Sequence, residues 1–126
     1  MANTTNTRFV IGAKEDTTFR ALGFDYQTPT YVGVTASFTI GQYQTFINLG
    51  SITQSVNITG TTASPLIGDH MHFIGIGPAT GTSSVVFDTN VYKVNTTNTI
   101  AVGVAKNLNV ACVYNGTYWV CNGFSI

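Results

Sequence analysis

Short runs of β-branched and aromatic residues alternate along this chain with Gly, Asn, Asp and Pro, and no window repeats apolar residues at i, i+3, i+4 and i+7 for three turns. That pattern predicts strands near 8–12, 17–22, 31–40, 43–49, 54–59, 70–76, 83–88, 91–94, 99–105, 109–114 and 117–121. Many short strands at regular spacing, each closed by turn residues, predict an all-β fold: an antiparallel β-sandwich or a jelly roll, with a small barrel as the remaining alternative.

The hairpin "VACVYNGTYWVC" is the most legible element. Asn115-Gly116 lies between two β-rich runs, and this dipeptide suits a two-residue turn with positive φ at both positions. With such a turn Cys112 faces Trp119, and Cys121 lies diagonal to Cys112 at a Cα separation of about 7 to 8 Å, beyond the usual disulfide range. A four-residue loop would instead set the two cysteines opposite each other. The expectation is two free, buried thiols, because a cytoplasmic product stays reduced. Either way Val110, Cys112, Tyr114, Trp119 and Cys121 share one face, and Ala111, Val113, Tyr118 and Val120 share the other. Both faces are apolar, so the second needs covering by another sheet or another subunit.

The only histidines, His70 and His72, fall two apart in "GDHMHFIGIG", on one face of a strand with Ile74 and Ile76. Two imidazoles can start a transition-metal site, yet nothing else in the chain completes it. Six imidazoles would meet only if three copies lined a threefold axis with this strand. The expectation is no metal and no cofactor, with repulsion between protonated imidazoles at an interface as the weaker alternative.

Composition narrows the function classes. Charged residues make up 8% of the 126-residue chain, well below the roughly 25% of ordinary soluble domains. Five basic side chains balance five acidic ones, with no basic stripe. Nucleic acid is therefore not an expected partner. No apolar run approaches the ~18 residues of a membrane helix, and the start reads as no signal peptide. The expectation is synthesis in a cytoplasm, no membrane partner, and unused N-x-T sequons at Asn3, Asn57, Asn95 and Asn115. Arg8, Lys14, Glu15, Asp16, Arg20 and Asp25 concentrate charge in the first 25 residues. Residues 1–30 read either as a segment distinct from a domain over 31–126, apolar enough to order against something, or as the first two strands of the same sandwich.

No catalytic constellation emerges, so the chain reads as a non-enzyme. Asp69 and His70 point to opposite faces of a strand and cannot work as a pair. Nothing selects two carboxylates among Glu15, Asp16, Asp25, Asp69 and Asp88. "GIGPATGTSSVVF" has the glycines of a phosphate loop but leads into a strand rather than a helix. Tyr26, Tyr31, Tyr43, Tyr92, Tyr114, Tyr118 and Trp119 could stack on sugars, although aromatics in short strands more often fill cores or subunit interfaces.

From Tyr31 to the end, "TYVGVTASFTI", "QTFINLGSITQSVNI", the Gly68-Asp69 that opens a strand, "SSVVFDTNV" and the closing "VYNGTYWV" follow one another in an order that resembles the small β domains of tailed-bacteriophage virion proteins, of the capsid decoration and head or tail fibre type. The resemblance implies a homotrimeric sandwich or jelly roll attached to a capsid or tail. The expected function is that of a capsid decoration protein on the virion surface, bound to the major capsid protein or another virion protein. The alternative is a head or tail fibre tip that binds a host receptor or glycan. Candidate capsid anchors are Arg8, Phe9, Val10, Phe19 and Arg20, and candidate subunit contacts are Tyr114, Tyr118 and Trp119.

Overall fold

The structure is a computed structural model that describes residues 25–40, 44–62 and 65–126. The alternating runs form thirteen strands, with no helix among the described residues. The first nine wind as a coil. Strands β1 (Asp25–Gln27), β2 (Thr30–Val32), β3 (Thr35–Ser37) and β4 (Thr39–Ile40) make one turn. The next turn comprises β5 (Gln44–Ser51), β6 (Val56–Ile58) and β7 (Thr61–Thr62), and β8 (His70–Ile76) with β9 (Ser83–Phe87) begins a third. Successive turns stack in parallel, β1 on β5 on β8, β3 on β6 on β9, and β4 on β7. Asp25, Thr45 and Met71 thus occupy one position of three turns.

The chain then reverses. Strand β11 (Thr99–Val102) pairs antiparallel with β9, and β12 (Asn107–Tyr114) pairs antiparallel with β8. Strand β13 (Trp119–Ser125) follows β12 as a hairpin, and β10 (Tyr92–Val94) runs parallel to β13. The result is a six-stranded first sheet, β1-β5-β8-β12-β13-β10, a five-stranded second sheet, β11-β9-β6-β3-β2, and the small β4-β7 pair. All-β holds. The antiparallel sandwich or jelly roll does not describe the winding, because six of the ten strand pairings are parallel, in the manner of a β-solenoid.

Local chemistry explains the shifted boundaries. The run expected over 31–40 breaks at Gly33, whose φ of 62° turns β2 back onto β3. Asp25–Gln27, assigned by sequence to the N-terminal segment, already pairs with β5. The β12–β13 loop has four residues, because the Asn115 side-chain oxygen accepts the N–H groups of Thr117 and Tyr118 and so shapes the turn itself. Tyr114 therefore faces Trp119, and Cys112 faces Cys121 with Cα atoms 4.1 Å apart. The expected free thiols are instead a disulfide; the longer loop brings them into register.

The two main sheets share one core. Phe73 on β8 meets Phe38, Phe87 and Tyr92 edge to face, at centroid distances of 5.8, 5.3 and 6.1 Å, a geometry that adds about 0.5–1.5 kcal/mol per pair beyond burial. Gly123 leaves room for Ile100 from the second sheet; a Cβ there would sit 2.5 Å from its Cδ1. Asn98, buried at positive φ, ties the reversal together. Its oxygen accepts from Val94 N–H, and its amide donates to the carbonyls of Phe87 and Tyr92. Tyr92 donates its hydroxyl to Thr59 O at 2.7 Å.

Burial, with the Asp88 charge as a smaller contribution, raises the Tyr92 phenol above its ordinary value. The native state keeps this proton in alkali while the unfolded chain releases it near pH 10. The stability held by neutral Tyr92 is therefore complete below pH 10 and falls as pH rises beyond it. Urea melts from pH 8 to 11 should show a steeper alkaline loss for the native chain than for Tyr92→Phe, which should itself cost about 1 kcal/mol at pH 8; equal slopes would contradict the assignment. The cysteines give a second test: iodoacetamide under denaturing conditions should add nothing until a reductant is present, then two adducts. The Cys112→Ala, Cys121→Ala pair should lose about 2–3 kcal/mol, as closure of so short a loop implies.

Candidate interaction face

In the first sheet every second residue faces outward, and pairing assembles these residues into rows. Tyr26, Phe46, His72, Ala111 and Asn122 cross its middle. Beside them run Gln44, His70, Val113, Val120 and Lys93 on one side, and Asn48, Ile74, Asn109 and Phe124 on the other. Ile76 and Asn107 extend the far end. Large apolar groups stay open here: Tyr26 is 63% exposed, Phe124 53% and Val113 42%. The inward rows hold Ile47, Met71, Phe73, Val110 and Cys112, all buried.

Charge is sparse on this face, as it is on the outer face of the second sheet. Of the charged residues described, only Lys93 lies on it, at the outermost strand, where its ammonium donates to Thr89 O and sits 4.3 Å from the Tyr118 ring centroid. Asp25 shares the inward row of Met71. Asp69 is buried and accepts the Leu66 N–H. The second sheet presents a different outer surface, mainly Thr35, Ser37, Asn57, Ser84 and Thr99, with Val32 and Val86 among them.

His70 and His72 both point outward, as strand parity requires. His72 stacks on Phe46 with ring centroids 5.7 Å apart, and its Nε2–H donates to Asn109 Oδ1 at 2.7 Å. That nitrogen and one ring face are therefore engaged within the chain. No cluster of three or more His, Cys, Asp or Glu side chains able to hold a metal occurs among the described residues.

The candidate subunit contacts divide. Trp119 is 1% exposed and packs on Tyr114 at 5.2 Å, so its ring serves this chain's interior rather than a partner. Tyr114 donates its hydroxyl to Gly116 O, and Tyr118 lies half-buried under Lys93. The anchor candidates Arg8, Phe9, Val10, Phe19 and Arg20 lie outside the described residues. The glycines of "GIGPATGTSSVVF" form a turn fixed by Gly77 N–H to Lys106 O and Ala105 N–H to Pro78 O, and β9 follows. An open recess of about 290 Å³ lies beside Pro65, Asn90 and Thr117, with Trp119 in its wall, too buried to offer a ring face.

Ala111, Val113 and Val120 were readable as an outward apolar set from the hairpin alone. Tyr26 and Phe46 were not, because they join the set only through the pairing of β1 and β5, and Phe124, which shares the parity of Val120, was not because the strand expected over 117–121 runs on to Ser125. The available signal was the alternation of Thr45, Ile47 and Leu49 with Gln44, Phe46 and Asn48. No family model matches the chain, and comparison with curated proteins and with solved structures likewise gave no match.

Proposed function

We propose that this chain is a non-enzymatic virion structural protein, a capsid decoration protein that self-assembles and coats a lattice of major capsid protein. The observation that carries the reading is the contrast between its two sheet faces. One exposes Tyr26, Ile76, Val113, Val120 and Phe124 between amides and imidazoles, the other is lined mainly by Thr, Ser and Asn with Val32 and Val86 among them, as suits a subunit held in a layer with one side against neighbours and one side wet. The disulfide adds support, because such bonds persist on virion surfaces and in other oxidising surroundings. Synthesis in a host cytoplasm would then be followed by oxidation of the Cys112–Cys121 pair once the capsid exterior meets oxidising surroundings. A homotrimeric sandwich is not needed for this role; a short coil closed by antiparallel strands serves it equally.

A head or tail fibre tip that binds a host receptor or glycan is the second reading. It rests on Tyr26, whose exposed ring stands beside Asn48, with the Asn48 amide donating to the Tyr26 hydroxyl. Against it, the ring faces of Phe46 and His72 cover each other, and sugar stacking needs ring faces turned to solvent.

Capsids purified without this protein should take it up to a saturating, fixed ratio in co-sedimentation. Deletion of residues 1–24, which removes the anchor candidates and leaves β1, should abolish uptake while the far-ultraviolet spectrum and melting transition persist. Full uptake by the truncated chain would discard the anchor. Absence of uptake by the full chain, together with glycan-array binding lost in Tyr26→Ala, would replace decoration by receptor binding.

A further inference from the structure

The assembly reading leaves open what covers the apolar face. We propose that the outer face of the first sheet is the seam at which copies of this chain meet one another, centred on Phe46, His72, Ala111 and Phe124; this rests on the reading of the chain as an assembling structural protein.

Three observations select a second copy as the occupant. Charge is the first. When identical surfaces meet, a charge on one copy tends to approach its own kind, whereas a different partner can offer the opposite sign. The only charged side chain described on this face is Lys93, at its margin and already engaged with Thr89 O and Tyr118. The amides are the second. Gln44 and Asn122 border the centre, and neither side chain has a hydrogen-bond partner among the described residues. An amide carries both a donor and an acceptor, so it can pair with its own copy; in lipid the same groups would remain unsatisfied.

Area is the third. Six strands spaced about 4.8 Å apart, with central strands of seven or eight residues rising about 3.3 Å each, make a face of roughly 500–600 Å². Two such faces cover about 1,000–1,200 Å², the lower bound for a stable specific interface. The outer face of the second sheet is mostly Thr, Ser and Asn, with Asn57 at its middle beside Thr35 and Val86, and its large exposed apolar groups are two valines, Val32 and Val86.

The test is the mass of the purified full chain in solution, by light scattering on a sizing column, for the native sequence, Ala111→Glu, Phe124→Glu and Asn57→Glu. Both seam positions are exposed, so the substitutions should leave the melting transition in place. The native chain and Asn57→Glu should run as the same integral multiple of 13.4 kDa, and the two seam variants should fall to a single chain. A native chain that is monomeric, or seam variants that keep the native mass, would overturn the seam. Capsid uptake is measured separately on the same samples: an oligomer that no capsid takes up leaves the seam standing and removes decoration, while a monomer that capsids take up does the reverse.

Discussion

The placement of Phe73 governs this structure. It lies at the middle of β8, its ring enclosed edge to face by Phe38, Phe87 and Tyr92, so that one side chain joins the coil's successive turns to both sheets. Side chains on a strand alternate with a period of two, and fixing Phe73 inward fixes His70, His72, Ile74 and Ile76 outward. In-register stacking passes the same constraint to β5 and β12. The outer face of the first sheet is thus a consequence of the core: no slip of one residue can hide its apolar groups without expelling Phe73.

That constraint makes the outer residues a matter of composition rather than of folding. A sheet with one wet face is usually coated by charged and polar side chains, and the second sheet follows this rule with small hydroxyl and amide groups. The first sheet presents Tyr26, Val113, Val120 and Phe124 at exposed positions, where the core does not require an apolar side chain. Their presence is hard to account for within a single chain, since exposed apolar patches raise the risk of aggregation. A covering partner removes the difficulty, and the near absence of charge makes another copy of the chain the economical choice.

The strand runs were legible because alternation and turn residues are local properties. The run 70–76 has the same limits in sequence and structure, and the two faces of the last hairpin follow from parity alone. Parallel winding was not legible. A half-buried strand reads the same whichever direction its neighbour runs, and the pairing of Asp25 with Thr45 and of Thr45 with Met71 crosses long stretches of chain. The disulfide was missed for a smaller reason. Asn115-Gly116 suits a tight two-residue turn, but the Asn115 side chain captures two backbone N–H groups and lengthens the loop, which moves Cys121 from diagonal to directly opposite Cys112. Trp119, a natural anchor for a partner by composition, faces inward on the same parity as those cysteines.

A seam between copies requires the outer face of the first sheet to be covered in the native protein. Hydroxyl-radical footprinting of the assembled chain, read by mass spectrometry at single residues, tests it most directly. Phe124 and Tyr26 on the first sheet should be labelled far less than their exposure in one chain implies, while Val32, open on the second sheet, should be labelled in full. Labelling of Phe124 and Tyr26 in proportion to that single-chain exposure would contradict the account.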